Sequence, residues 1–571
     1  MRVGRYLAEF LVLVGVRRVY QLSGGMIAPL LDAIGEHSDI ELVNMAHEQA
    51  AGFAADAEAR LTGIPGVAMG TSGPGALNLV TAIAMSHYDS VPMIYIGGQV
   101  QTYLRATDRP TRQMGLQECP FDQVVRPICK AVFTPQRPED VPDMLREAHR
   151  LALSGRPGPV VLDLPFDVQV GALKGEEEVV LSPPDPAPPV DAGMLDQCVD
   201  ALLAAERPLI LAGGGVRGAT ARAACAAFVE AWGLPVATTI AALDVIDHGS
   251  PAFVGMPGTY GMRRANLSVT EADTVLVLGS RADHGVLGGD PKGFGRRRRI
   301  IRVDIDGGEL SVRGIGDLGI QADVADFLSA LDRRLKETVF AVPEAWKDTL
   351  GRIAVTHPDT EERLPGEGID PNRFMAALGE ASARAGLGAV CLDAGQHAWF
   401  TAQSLRLRGG ARLISSTGLW SMGVGIPAGI GVALATGSPV LVVAGDAAVQ
   451  LNIQELAVIQ RLKLPVKVVV VDNRAQGMVR QFQDEFMEGR HHGTVNPGPG
   501  IDVTAVFAAH GIRGSSVSRP DRVEAALAAL WAEPDVPGVL RVVIPEGIDV
   551  WPNVPFGRQI KDMRPDRSPA P

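Results

Sequence analysis

The sequence predicts an α/β protein made of three doubly wound, parallel-sheet domains. Its 571 residues are about twice the length at which one hydrophobic core stops growing. Short β-branched runs alternate with helical periodicity from end to end, as they do where helices cover both faces of a parallel sheet. Two proline-rich stretches interrupt that alternation: LSPPDPAPPVDA at Leu181–Ala192, and a polar stretch around Val342–Pro371 that also holds Pro343, Pro358 and Pro365. Proline cannot continue a helix, so the expected domains are 1–180, 193–340 and 366–571.

The elements follow in chain order. Leu7, Phe10, Leu11 and Val14 share one helical face, and Arg17 and Arg18 close a short apolar run. That pattern is a surface helix and lacks the order of a signal peptide. In the first domain VRRVYQL, GVAMGTS, PMIYIGG and PVVLDLP read as strands; in the second, PLILAGG, PVATT, TVLVLG and IIRVDID; in the third, AVCLDAG, PVLVVAG, VKVVVVDN and GVLRVVI. Leu413–Gly445 is uncharged and long enough to span a bilayer. It holds Pro427, Pro439 and seven glycines, however, and ends as a strand running into Asp446, so a buried loop–helix–strand unit is expected.

Composition excludes several functions. Lys plus Arg is 53 against 65 Asp plus Glu, a net charge of −12, which argues against phosphate-backbone binding and a nucleic-acid partner. The one basic run, Arg296–Arg299, precedes Ile300 and Ile301 and reads as a solvated strand entry. Hydrophobic residues at 46% with 21% charged residues exclude disorder over most of the length. The five cysteines form no CxxC or Cys/His pair. A reduced, cytoplasmic protein with no membrane span is expected.

The chemistry concentrates in the third domain. Asp446 follows one buried strand and Asn473 ends the next, which places both at the carboxyl ends of strands, where open α/β sheets bind ligands. A carboxylate and an amide oxygen are hard donors suited to Mg²⁺ held with phosphate oxygens. Ala447 and Ala448 are small enough for backbone N–H groups at a helix start to approach a diphosphate. A lone Gly-Asp is usually a turn; strand–GDA–helix–strand–DN is far more specific.

With these residues the sequence resembles the thiamine-diphosphate-dependent enzymes, and among them the acetohydroxyacid (acetolactate) synthase catalytic subunits. The resemblance runs from about Tyr6 to Met563 and takes in GMVRQFQ (Gly477–Gln483) and VWPNVPFGRQIKDM (Val550–Met563). It implies Mg²⁺ held by Asp446, Asn473 and the Ala475 carbonyl. It implies thiamine diphosphate held by Gly395, Gln396 and His397, by Gly445 to Ala448, and by Asn473, Gly477 and Met478.

The first domain matches the pyrimidine-binding region through MAHEQAAGFAADAEARLTGIPGVAMGTSGPGALNLVT. Glu48 falls on the activating glutamate. Thiamine's C2 proton is weakly acidic, and the aminopyrimidine must reach its imino form to remove it. A carboxyl group hydrogen-bonded to N1′ in a dry site drives that tautomer. A lone Glu in HEQAA would ordinarily sit on a helix surface; the flanking motif argues otherwise. Met422, in GLWSMGVG, matches the apolar residue that holds the cofactor bent, where unaided reading gives core filler.

In the middle domain Gly213, Gly214 and Gly215 follow PLILA, a weak dinucleotide signal alone. The resemblance makes this domain the FAD-binding type, with contacts at Gly255, Gly258, Thr259, Arg281 and Asp283. His284 and Gly285 replace the usual Asp-Arg that follows. The three domains are thus expected to be pyrimidine-binding, central FAD-type and diphosphate-binding.

By resemblance the enzyme decarboxylates a 2-oxo acid, pyruvate, and transfers the acetyl equivalent to a second carbonyl compound. Gln117 falls in the donor pocket, and Met478 and Phe482 in the acceptor pocket. Phe482 stands where Trp is usual, Leu116 where Phe is, and QLSGG (Gln21–Gly25) replaces YPGG. These departures leave open a second 2-oxo acid or a ketone such as a keto-sugar as acceptor. A pyruvate oxidase with the same cofactors is the other reading. The family's cofactor-binding segments meet across subunits, which implies a homodimer or homotetramer.

Overall fold

The computed structural model describes all residues except 107–108, 175–177, 291–293, 295–297, 313–314, 363–365, 496–499 and 567–571. Three six-stranded sheets carry the chain. The first comprises β1 (Arg18–Gln21), β2 (Glu41–Asn44), β3 (Gly66–Gly70), β4 (Met93–Gln99), β5 (Ala131–Phe133) and β6 (Pro159–Pro165), in the order β2-β1-β3-β4-β6-β5. The second comprises β7 (Pro208–Ala212), β8 (Val236–Thr238), β9 (Phe253–Gly255), β10 (Thr274–Leu278), β11 (Arg299–Asp304) and β12 (Leu318–Gln321), in the order β12-β11-β10-β7-β8-β9. The third comprises β13 (Ala389–Leu392), β14 (Arg412–Ser415), β15 (Val440–Gly445), β16 (Val466–Asp472), β17 (Arg513–Val517) and β18 (Gly538–Val543), in the order β14-β13-β15-β16-β18-β17.

Adjacent strands run parallel in each sheet. The expected α/β class therefore holds. The interior strands β3, β4, β15 and β16 are buried along their whole length, as near-continuous Val/Ile/Leu/Met runs require when both faces are covered. First and third sheets share one order. Read from its other edge, the second has the 3-2-1-4-5-6 order of dinucleotide-binding sheets.

The third domain shares a hydrophobic core with each of the others. Helix Glu48–Thr62 of the first domain packs on helix Gly425–Thr436 of the third, and their residues belong to one buried cluster. The contact is close: a Cβ at Gly431 would overlap the Ala54 carbonyl oxygen. Beside it Arg60 bonds Asp56, Asp89 and the Ser415 carbonyl, while Asp89 accepts from Thr417 and Gly418. A second cluster joins the middle and third domains.

Three expectations are refined. The stretch around Val342–Pro371 is no bare linker: Glu344–Thr356 is a helix, anchored by buried Trp346, whose indole N–H donates to the Pro208 carbonyl at 3.0 Å. Of the basic run, Arg296 and Arg297 lie outside the described residues; β11 starts at Arg299, and Arg298 covers the Phe294 ring at 4.6 Å. Leu413–Gly445 forms most of β14, a loop, helix Gly425–Thr436 and β15. Among the described residues no helix is long and apolar enough to cross a membrane.

Candidate active site

Two walls of functional residues stand at the carboxyl ends of the first and third sheets. The first wall begins where β3 runs into Thr71-Ser72-Gly73-Pro74-Gly75 and the short helix Pro74–Asn78. Glu48 opens helix Glu48–Thr62, where a carboxylate suits the helix dipole. His47 caps that helix by accepting the Gln49 N–H. The Glu48 side chain is buried at 6% exposure; Oε2 accepts from the Asn78 amide at 2.9 Å, and Oε1 faces Gly75, where a Cβ would stand 3.1 Å away. Gln117 lies across the same turn, exposed, with φ +63° and its backbone against Gly73.

The second wall gathers around β13, β15 and β16. The Asp446 N–H donates to the Val471 carbonyl at 3.3 Å, which holds the end of β15 beside the end of β16 and brings Asp446 next to the Asp472–Asn473 corner. Burial and the nearby Asp472 charge push the Asp446 carboxyl up to about 6. The Asn473 amide donates to Gln396 Oε1 at 2.9 Å, and its own oxygen accepts the Ala475 N–H at 3.1 Å. Gly477 closes this corner so tightly that any Cβ would overlap Gln396 Oε1.

His397 is buried, and burial pulls its ring down to about 4. Nε2 lies 3.0 Å from the Asp393 carbonyl, which can only accept; the ring is therefore the Nε2–H tautomer, with a bare Nδ1 beside Gly395 and Gly445. Asp393, which the sequence reading missed, accepts the N–H groups of Ala394, Gly423 and Gly425. It thereby fixes the loop that carries half-buried Met422. Burial nonetheless raises it to about 6. Its position directly after β13 is the signal that could have found it. Gln481, also missed, ties Gln396 to the Val550 N–H.

Ala447 and Ala448 sit in a turn, followed by a kinked 3₁₀ segment, Val449–Glu455, before helix Leu456–Leu462, and not at the start of a regular helix. The kink at Asn452 lets its amide reach back to the Gly423 carbonyl at 2.7 Å. Helix Gly477–Phe486 presents Met478, partly buried, and Phe482, 51% exposed and packed at a tilt against Phe486 with centroids 4.6 Å apart.

Among the described residues no hydrogen bond or ion pair joins Glu48, Asn78 or Gln117 to Asp446, Asn473 or Gln396 within the chain. The walls are linked one step behind the chemistry. Buried Glu455, pushed up to about 7 by burial, accepts the Ala46 N–H with both oxygens at 3.1 Å.

In the middle domain Gly213 and Gly215 abut Gly279 and Ser280, and their N–H groups donate to the Leu278 and Gly279 carbonyls at 2.8 Å. No Cβ fits at either position. Gly214 stays open, and helix Ala219–Trp232 begins beyond it without a side-chain cap. Gly255 packs on Met262, and Gly258 on the Gly285 carbonyl, which also accepts the Thr259 N–H at 2.8 Å. Arg281 pairs with Asp283 at 3.5 Å, both partly exposed. Tyr260, Trp399 and Trp420 form an aromatic file from this loop to the Met422 loop, with centroids 5.2 and 4.8 Å apart.

Both walls and the glycine turn match a single family. The thiamine pyrophosphate enzyme N-terminal TPP binding domain matches residues 1–124, the central domain 195–331 and the C-terminal TPP binding domain 393–542. The chain belongs to the thiamine pyrophosphate enzymes. It is 35% identical to the acetolactate synthase large subunit of Parasynechococcus marenigrum over 96% of this chain and 88% of that protein. It is 34% identical to the acetolactate synthase isozyme 1 large subunit of Escherichia coli over 98% and 96%, and 34% identical to the probable chloroplastic acetolactate synthase 2 of Oryza sativa over 96% and 84%. Within the family it is a thiamine-diphosphate-dependent, acetolactate-synthase-like carboligase; these relatives do not favour the keto-sugar and oxidase readings.

Proposed function

We propose that this carboligase decarboxylates pyruvate and joins the acetyl equivalent to a second 2-oxo acid. Its three units would be 1–180 for the pyrimidine, 193–340 for FAD and 366–571 for the diphosphate and metal. The observation that carries the reading is the corner where Asp446, Asn473, Gln396 and His397 converge with Gly477. Its donors are a carboxylate raised toward protonation, an amide oxygen and the Ala475 carbonyl, a set that suits Mg²⁺ completed by phosphate oxygens and water. Gly445, Ala447 and Ala448 put small residues at the end of β15 where a diphosphate would approach, with Gly395, Gly477 and Met478 beside them.

Bound thiamine diphosphate supplies the electron sink that lets a 2-oxo acid lose CO₂. The chain's own groups do the rest. Glu48, held by Asn78 and screened from water, holds the proton exchanged with the pyrimidine N1′. His397 stays neutral at physiological pH and so brings no like charge to the metal. Met422, on the loop that Asp393 fixes, would hold the cofactor bent. Gln117 orients the donor, and Met478 and Phe482 shape the acceptor space. In this family the two cofactor-binding segments meet across subunits, so the reading calls for a homodimer or homotetramer in which each subunit completes the other's site.

The central domain's strand order and its Gly213–Gly215 turn fit a dinucleotide, with Gly255, Gly258, Thr259, Arg281 and Asp283 at the flavin end. FAD is the dinucleotide proposed. Purified protein given pyruvate, thiamine diphosphate and Mg²⁺ should form acetolactate, read by mass spectrometry, and should show flavin absorbance. Steady CO₂ release without acetolactate would remove the acceptor assignment.

A further inference from the structure

Arg264 is a guanidinium whose place the carboligase chemistry does not explain. It is the second residue of helix Arg263–Glu271 in the middle domain and lines a cavity of about 460 Å³ between that domain and the third. The cavity is also lined by Asp359, by Ala376 and Glu380 of helix Pro371–Arg384, and by Arg406 and Arg408. Two of its three arginines are neutralised: Arg406 by Asp359, and Arg408 by Glu380 at 3.2 Å. Arg264 has no such partner. Among the described residues its hydrogen-bond contact is the Met262 sulfur at 3.7 Å, with the Phe253 ring at 5.7 Å.

Arg264 Nε and Arg406 Nη1 are both buried and bonded to nothing. A buried donor left unpaired is destabilising, the more so when charged. Burial and the adjacent Arg406 charge pull the Arg264 guanidinium down to about 10, with Asp359 only partly opposing them. His248 faces both arginines and is held neutral, at about 4, by burial and by their charges. The cavity thus carries one surplus positive charge and an apolar lining from Ala354, Pro358 and Ala376.

We infer that this interdomain cavity binds a phosphate monoester of a small organic molecule, with Arg264 and Arg406 on the phosphate and the alanine and proline side chains against the organic body. A dianion offers acceptors on several sides, which suits two guanidiniums supplied by separate segments, helix Arg263–Glu271 and the segment after Ser404. The volume falls in the range of small-ligand pockets and exceeds what bare phosphate fills. Bound anion would tie the middle domain to the segment that leaves helix Gln396–Ser404, whose other end carries Gln396 and His397. That helix spans roughly 13 Å at 1.5 Å per residue, so the cavity is distinct from the thiamine diphosphate corner.

The test uses holoenzyme saturated with thiamine diphosphate and Mg²⁺, so that the diphosphate corner is already filled. Glucose 6-phosphate, inorganic phosphate and glucose serve as probes in thermal-shift and calorimetric titrations. Saturable binding is expected for glucose 6-phosphate, weaker binding for phosphate, and none for glucose. Arg264→Gln should weaken glucose 6-phosphate about tenfold or more and, by removing an uncompensated charge, should not lower the midpoint of the anion-free protein. Ala376→Asp, which places a carboxylate in the lining, should abolish binding by an independent route. No saturable binding of either phosphate, or equal affinity in wild type and both variants, overturns the inference.

Discussion

The first and middle domains are both fastened to the third, by different means. Between first and third, two helices meet through small residues, and Gly431 lies against the Ala54 carbonyl. Between middle and third, a shared apolar cluster is supplemented by polar contacts at its rim: His248 Nδ1 accepts the Leu407 N–H at 3.2 Å, and Arg412 bonds Asp244 at 2.7 Å. Close packing makes a joint without alternative arrangements, because interiors are nearly incompressible. The hydrogen bonds at the rim of the second joint can in addition respond to protons and ions. The first–third pairing thus has the rigidity a cofactor cradle needs, and the middle domain retains a chemically adjustable seat.

Five substitutions would break or sharpen this contrast. The largest effect is expected at the end of the first sheet: Glu48→Gln should lower kcat by about 10²–10⁴ while thiamine diphosphate titration, followed by fluorescence, stays nearly unchanged. At the end of the third sheet Asp446→Asn should instead weaken Mg²⁺ by roughly 10²-fold, and added Mg²⁺ should recover part of the activity. Indistinguishable behaviour of the two variants would erase the division of labour between the walls.

The joints come next. Gly431→Val should lower unfolding stability by about 3 kcal/mol through overpacking, read as a shifted urea midpoint. Gly63→Ala, whose φ of +73° is strained but whose surroundings are open, should cost only about 1 kcal/mol.

The smallest effect concerns pH. His248 is neutral in the folded protein, at about 4, against about 6.5 when unfolded. Its contribution to stability is therefore fully present above pH 6.5 and is lost as pH falls from 6.5 toward 4. The loss should reach about 2 kcal/mol near pH 5. His248→Gln should flatten that acid limb of the urea-midpoint profile; an unchanged slope would mean the seat of the middle domain does not titrate.

The sequence pattern was legible where burial is complete. The strands it named, four per domain, are those at the centres of the sheets; the two it missed in each are the edges β2, β5, β9, β12, β14 and β17. Glu41–Asn44, Leu318–Gln321 and Arg513–Val517 show why, since most of their residues face solvent and their composition is mixed. An edge strand is specified by its neighbour's free backbone more than by its own side chains. At the candidate site, residues with ligand-facing chemistry such as Asp446, Asn473 and Glu48 could be singled out. Asp393, Gln481 and Asn78 could not, because their task is to hold backbone and side chains that only the fold brings near. The kink at Asn452 likewise depends on Gly423, which reaches it from another loop.

The shared core of the first and third domains also bears on synthesis. Helix Glu48–Thr62 leaves the ribosome roughly 360 residues before helix Gly425–Thr436, the surface it packs against. At 5–20 residues per second, its alanine-rich face waits about 20 to 70 seconds for its cover. Throughout that interval the nascent chain displays an apolar stripe that the finished protein hides, so a holding chaperone, or prompt pairing with a neighbouring nascent chain, becomes part of making this enzyme soluble.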